Sequence, residues 1–430
     1  GVLALGIAGL FAVLLVASRS PGMEHFFPWI DFFRTALVIH VDQSVLIWFL
    51  AMAGVLWSLL DRAAVKVSAM AKLAFVLALC GTLGLALSAF VGDGLPLMNN
   101  YVPVLQRPLF FAMLGLFAAG IILRLSMFLQ AADWSALFSR EPDLPAVAGA
   151  TAAVATLVAL LALIWSWFGI PDLFQGQAYY EYLFWGAGHT LQFTYTQLML
   201  LAWILLAVFS GVVLPAGPRP LRLLLLLGIL PVALVPLIYL AFPVVSAESR
   251  LGFTRLMVFG GGVAAIPVAA LVLRGLFTAP TAQAAQRPLR MSLWMSLILF
   301  LAGGALGISI SGVNTVIPAH YHGSIVGVTL ALMGFAYLLL PHLGYPPVAG
   351  RLASAQPLVY GLGQLLHISG LALSGSMGIQ RKTAGAAQGL DSLAAKAAMG
   401  VMGIGGLLAV IGGILFVWVM LRAFLRHRGQ

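Results

Sequence analysis

An all-α integral membrane protein, a bundle of about twelve transmembrane helices, is the fold class that this 430-residue chain predicts. Three observations carry that expectation. Hydrophobic residues make up 62% of the chain and charged residues only 8%, for a mean hydropathy of +1.06; a soluble domain does not tolerate that balance. Apolar stretches long enough to cross a bilayer recur from one end to the other. The Lys and Arg residues between them fall unequally on the two sides.

The expected spans lie near residues 1–18, 35–59, 70–91, 108–131, 145–169, 182–213, 221–242, 252–277, 291–313, 318–340, 356–377 and 394–424. The first begins at Gly1 without an initiator Met, which predicts that a short piece precedes this numbering. Arg19 follows the first apolar run with no small-residue cleavage pattern, so a cleaved signal is not expected. The longest polar stretches, Thr278–Arg290 and Gln380–Asp391, are loop-sized, which predicts a single polytopic domain over residues 1–430.

With twelve spans, both termini share one side. Fourteen Lys and Arg fall on that side and eight on the other, namely Arg19, Arg34, Arg107, Arg250, Arg255, Arg381, Lys382 and Lys396. The positive-inside rule therefore puts both termini in the cytoplasm and reads the net charge of +10 as a topology signal, with no nucleic-acid partner implied. The single cysteine, Cys80, sits in an apolar context. It excludes an intrachain disulfide framework and thiolate metal sites.

Histidine placement carries the chemistry. His320 and His322 stand two residues apart at the start of the tenth span, about 200° around a helix, so they face opposite flanks and serve two different centres. Ionisable side chains in a bilayer are costly and mark function, and neutral imidazole is a common axial ligand for haem iron. Spans two, six and ten all start on the outer side, so His40, His189, His320 and His322 share one layer in the outer third of the membrane. Scattered core histidines would not agree in depth; the competing reading of His320 and His322 is a pair of interfacial histidines hydrogen-bonded to nearby carbonyls.

The strings Arg34-Thr35-Ala36-Leu37-Val38-Ile39-His40, Phe184-Trp185-Gly186-Ala187-Gly188-His189 and Ile317-Pro318-Ala319-His320-Tyr321-His322 resemble the ligand-bearing helices of subunit I of the haem–copper oxidase superfamily, which includes cytochrome oxidases and nitric oxide reductases. The order of these motifs and the span count extend the resemblance over essentially the whole chain. It implies that His40 and His322 are axial ligands of a low-spin haem and that His320 is the proximal ligand of a second haem. It also implies that His189 is a remnant of the non-haem copper or iron site, or a distal ligand of the second haem. The pair Arg381-Lys382 resembles the family's basic pair that binds haem propionates, for which fixed cations are needed. His367, upstream of that pair, resembles a family histidine at a longer spacing.

The resemblance breaks at the second metal. The family uses three histidines there, two adjacent on span seven, and span seven here has none; its stretch Pro236–Phe242 is apolar except for Tyr239. One imidazole does not hold copper. Leu191 and Phe193 stand where common oxidases carry a carboxylate and a tyrosine, and span six has no acid beyond Glu181. Glu248 is expected to pair with Arg250. Asp42 reads as an interfacial carboxylate, and Trp185 and Gln192, about a turn to either side of His189, read as helix-contact residues or as the lining of a cavity beside the haem. Span eight lacks lysine, and Asp61 is the only acid in the inner loop after span two, so pumping through the family's channels is not expected.

Two functions follow from the resemblance. The first is a diheme subunit, with haem b the simplest cofactor, carrying electrons between a quinol or cytochrome c-type donor and a partner subunit. The second is a terminal reductase of oxygen or nitric oxide, an oxidoreductase with a remodelled binuclear site where His189 acts catalytically as proton donor. A haem-based sensor is a third reading, against which stands the lack of a soluble regulatory stretch. The sequence contains no CxxCH motif and no soluble copper domain, which implies a cytochrome c-type or copper-protein subunit in a multi-subunit complex, surrounded by membrane lipid. The expected location is the bacterial inner membrane, with the haems toward the periplasm.

Overall fold

The computed structural model describes residues 1–21, 30–61 and 68–426; His25, His427, Arg62, Lys66 and Arg428 lie outside them. Twelve helices among the described residues are long and apolar enough to cross a bilayer. In chain order, spans one to six are Val2–Arg19, Phe32–Leu60, Ala69–Leu87, Pro108–Ala131, Leu144–Gly169 and Gly176–Phe209. Spans seven to twelve are Pro218–Ala241, Ala247–Thr278, Arg287–Ile308, Val316–His342, Arg351–Ser376 and Leu393–Arg426. Each coincides with an apolar stretch of the sequence, because a chain in lipid must satisfy its backbone within the segment. The chain is thus an integral membrane helical protein. A two-residue antiparallel pair, Pro96–Leu97 with Val104–Leu105, closes the loop between spans three and four.

Local signals set the helix ends. The Ser68 hydroxyl caps span three by accepting the Ala71 N–H at 3.1 Å, and Asp143 caps span five through Ala146 N at 3.1 Å. Prolines open spans four, seven and nine at the first turn, where no amide hydrogen is needed. Span two is interrupted: an α-helix ends at Val41, a π-helical stretch covers Asp42–Ile47, and α-helix resumes at Trp48.

The helices cluster into two compact units. The first comprises Leu46–Ile204 and Leu214–Phe277 with Gly1; the second comprises Val2–Val45, Leu205–Val213 and Thr278–Gln430. In the first unit, spans three and four meet at glycines, where a Cβ on Gly81 would lie 2.5 Å from Phe117 N and one on Gly120 would lie 2.7 Å from Ala74 O. An ion pair of side chains that are both nine-tenths buried joins Arg124 to Asp61 at 3.1 Å, and the same guanidinium donates to Trp57 O at 2.7 Å. Asp61 is therefore engaged in holding spans two and four together.

The second unit centres on span ten, 89% of whose most apolar stretch is buried. It crosses span nine at Gly303 and Gly323, where a Cβ on Gly323 would sit 2.4 Å from Gly303 Cα. Spans eleven and twelve make the same kind of crossing through Gly363, Gly370 and Gly405. Small residues at such points let backbones approach, which is how helices pack when the lipid is as apolar as their side chains.

Gly323→Leu should therefore force spans nine and ten apart and lower the thermal stability of the detergent-solubilised protein, by about 3 kcal/mol or more. Gly304→Ala, at a position where a Cβ meets nothing within 4 Å, should leave the melting curve unchanged; equal effects of the two would refute the crossing.

Candidate functional site

Span ten presents its two histidines to different neighbours. His320 donates from Nδ1 to Gly303 O on span nine at 2.7 Å, and span nine leaves room for the ring with Gly307, where a Cβ would lie 2.8 Å from that nitrogen. His322 faces span eleven, where its ring meets that of His367 edge to face with centroids 4.8 Å apart. A spacing of two residues on a helix demands these opposite flanks.

In the second unit, the imidazoles of His322 and His367 lie within electrostatic reach of His40 and of the Arg19 guanidinium, with His367 buried and the other three half-buried. His40 donates from Nδ1 to Ala8 O of span one at 2.9 Å, and His367 donates from Nδ1 to Met402 O of span twelve at 2.9 Å. In each case the bond fixes the tautomer and leaves the Nε2 lone pair free, as an iron ligand requires. His322 lies within electrostatic reach of His40, His367 and Arg19, and its Nδ1 is buried without a hydrogen bond. Nε and Nη2 of Arg19 are likewise buried and without partners. Orphaned donors of this kind need an acceptor, so the cluster fits a cofactor carrying a metal and carboxylates.

Arg381 and Lys382 are placed by backbone bonds. Asn314 pairs with Gln380 in an antiparallel bridge, and Thr315 N donates to Ile379 O at 3.0 Å, while Lys382 adopts a left-handed φ of 61°. The basic pair is thus tied to the first turn of the helix that carries His320 and His322. Asp42 departs from expectation. It opens the π-helical stretch and is fully buried, with neither carboxylate oxygen hydrogen-bonded, so it is not a solvated interfacial carboxylate.

His189 belongs to the first unit and has both nitrogens occupied. Nδ1 donates to Trp185 O of its own helix at 2.7 Å, which leaves Nε2 as an acceptor, and the Tyr101 hydroxyl donates to it at 2.9 Å. Tyr101 arrives on the loop between spans three and four. Asn99 Oδ1 accepts the N–H groups of Tyr101 and Val102 at 3.0 and 2.9 Å, and Asn100 binds Glu181 on span six through its backbone and its side chain. Gly188 admits the phenol, since a Cβ there would lie 2.1 Å from Tyr101 Cγ. On span seven, Tyr239 donates to Ala162 O at 3.1 Å and contacts Ser166 Oγ at 2.8 Å. Among the described residues, no three His, Cys, Asp or Glu side chains are grouped so that they could hold one metal ion together. These donors do not fit a second, non-haem metal at His189.

Arg250 corrects another expectation. Its guanidinium lies 3.9 Å from Glu181 and over the Trp185 ring at 4.5 Å, while Glu248 is exposed. Glu248 and Arg250 stand two apart on one helix and so face different ways. Tyr101 was invisible as a site residue in the sequence because it lies 88 positions from His189; the glycines beside His189 are the local signal for it. Arg19 was legible only as a topology charge.

No known family model matches the chain. It is 30% identical to an uncharacterized protein of Rickettsia prowazekii (strain Madrid E), over 97% of this chain and 93% of that protein. It is also 30% identical to an uncharacterized protein of Aquifex aeolicus (strain VF5), over 81% of this chain and 85% of that protein.

Tyr101→Phe should strand His189 Nε2 without its donor and cost about 1–3 kcal/mol of stability. A double-mutant cycle with His189→Leu, read by denaturation of the solubilised protein, should give a coupling of about 0.5–3 kcal/mol, and additivity would show that the bond does not form.

Proposed function

The chain belongs to one family with the Rickettsia prowazekii and Aquifex aeolicus proteins, and for it we propose the role of a diheme electron-transfer subunit of haem–copper oxidase-like kind. In this reading His40 and His322 hold a low-spin haem and His320 holds a second one. The supporting observation is the histidine cluster of the second unit, where His40 has its Nε2 left free by the bond to Ala8 O and Arg19 has buried N–H groups without a partner.

A haem held there supplies one-electron chemistry. The chain's own residues orient the ligand rings, exclude water and offer buried positive charge. His40 is aimed by span one and His320 by span nine. Arg19 presents unpaired N–H groups beside His322 and His367, and Arg381 and Lys382 suit the propionates at the outer end of span ten. Haem b is the simplest cofactor for these ligands.

Electron transfer is favoured over gas reduction by the state of His189. Its metal-binding lone pair accepts the Tyr101 hydroxyl, and a redox-active second metal wants two to four nitrogen or sulfur donors. The electron donor in this reading is a quinol or a cytochrome c-type or copper-protein subunit. The protein works in a bacterial inner membrane with both termini cytoplasmic and the haems toward the periplasm.

Optical spectra of the purified, reduced protein with and without carbon monoxide or nitric oxide, together with a metal count, test the proposal. Two haems per chain and no copper or additional iron are expected, and the low-spin haem, held by two histidines, should show no gas-induced shift. Turnover of oxygen or nitric oxide at the second haem would turn the assignment to a terminal reductase, and a stoichiometric extra metal would restore a binuclear centre. His322→Ala should abolish the low-spin spectrum, and an unchanged spectrum would overturn the ligand assignment.

A further inference from the structure

We propose that Gln364 of span eleven is the hydrogen-bond acceptor that holds the Nδ1–H of His322 and thereby tunes the low-spin haem. This inference rests on the haem reading above. An imidazole that ligates iron through Nε2 carries its proton on Nδ1, and that N–H needs an acceptor to fix the ring and set its basicity. For His40 and His320 the acceptors are the backbone carbonyls of Ala8 and Gly303. His322 Nδ1 has none and is fully removed from solvent.

One complementary group stands beside it. The Oε1 atom of Gln364 is buried and also lacks a partner, and the Gln364 side chain lies within interaction distance of the His322 ring. Two orphaned buried atoms, one able to donate and one to accept, thus belong to side chains of spans ten and eleven that lie within interaction distance of each other. Leaving both unpaired is costlier than closing the bond between them.

His367 lies three residues beyond Gln364, on the same helix face. Its Nδ1–H is already spent on Met402 O, and its ring packs edge-on to His322. Glycines of span twelve hold it there: a Cβ on Gly406 would lie 3.1 Å from His367 Nδ1. His367 therefore limits the rotation of the His322 ring, and Gln364 takes its proton-bearing edge. Gln364 is a positioning residue, acting on the iron through His322.

The sign of the effect follows from the ligand. An acceptor on Nδ1–H makes the imidazole a stronger donor and favours ferric iron, so losing the acceptor favours the reduced haem. Redox titration and electron paramagnetic resonance of the purified full-length protein, with haem content measured in parallel, test this. Gln364→Leu and Gln364→Met should each raise the midpoint potential and shift the low-spin resonance. The expected size is about a threefold to tenfold change in the reduced-to-oxidised ratio at fixed potential, the net worth of one hydrogen bond. Gln364→Glu keeps an oxygen acceptor in either protonation state and should leave the potential at or below the wild-type value. His367→Leu should broaden the resonance without raising the potential. An unchanged potential in both apolar variants, a rise in Gln364→Glu equal to theirs, or a rise confined to His367→Leu would overturn the assignment, the last by making His367 the acceptor. A wild-type protein with no low-spin haem would instead remove the electron-transfer reading itself, a separate result.

Discussion

A histidine in the interior of a membrane protein has two ring nitrogens to satisfy and no water to satisfy them with, and that constraint organises this molecule. The solution recurs: Nδ1 donates to a backbone carbonyl in His40, His189, His320 and His367, at 2.7–2.9 Å. Helix carbonyls already accept from the amide four residues on, so the imidazole takes the second lone pair, and reaching it requires a close helix approach. That is why small residues stand at these places. Ala8 and Gly303 supply carbonyls themselves, Gly405 lies against the His367 backbone and Gly406 lies beside its ring. The Ala and Gly richness of the chain is thus part of the site as well as of the packing.

The bonds differ in what they aim. For His40, His320 and His367 the acceptor lies on another span, so each ring is oriented by a helix contact and its Nε2 is turned away from that contact. For His189 the acceptor is Trp185 of its own helix, one turn back. That ring keeps its orientation whatever the neighbouring helices do, and its free edge is filled by a phenol from a loop. One tautomer, fixed in the same way, serves in one unit to expose a lone pair and in the other to receive a hydroxyl.

Much of this was legible in the sequence, for physical reasons that differ from part to part. Spans read well because bilayer thickness sets a minimum apolar length, and all twelve appear where the hydropathy puts them. The opposed flanks of His320 and His322 follow from helix geometry alone. Interactions made by residues distant in sequence did not read: Tyr101 reaches His189 across 88 positions and His367 reaches His322 across 45. The burial of Asp42 did not read because the packing of neighbouring spans around span two leaves no mark in composition. Arg250 was assigned by proximity in sequence to Glu248, although a separation of two on a helix points side chains apart and favours Glu181 on another span.

The neutrality of the first unit's interior is consistent with the phenol in place of a metal. A dication buried there would need charged or numerous donors, since moving an uncompensated charge into a medium of low polarity costs far more than one or two hydrogen bonds return. The groups around His189 instead form closed, neutral pairs: Tyr101 with His189, Tyr239 with Ser166 and Ala162 O, and Thr190 with Gly186 O. The nearest charges, Glu181 and Arg250, pair with each other at the margin, with side chains 16% and 42% exposed. The polar groups in the His189 pocket are mutually satisfied, whereas the second unit leaves His322, Gln364 and Arg19 with unpaired buried atoms. In a low-dielectric interior such an imbalance is tolerated where a ligand completes it, and of the two histidine sites it is the one around His322 that has the incomplete set.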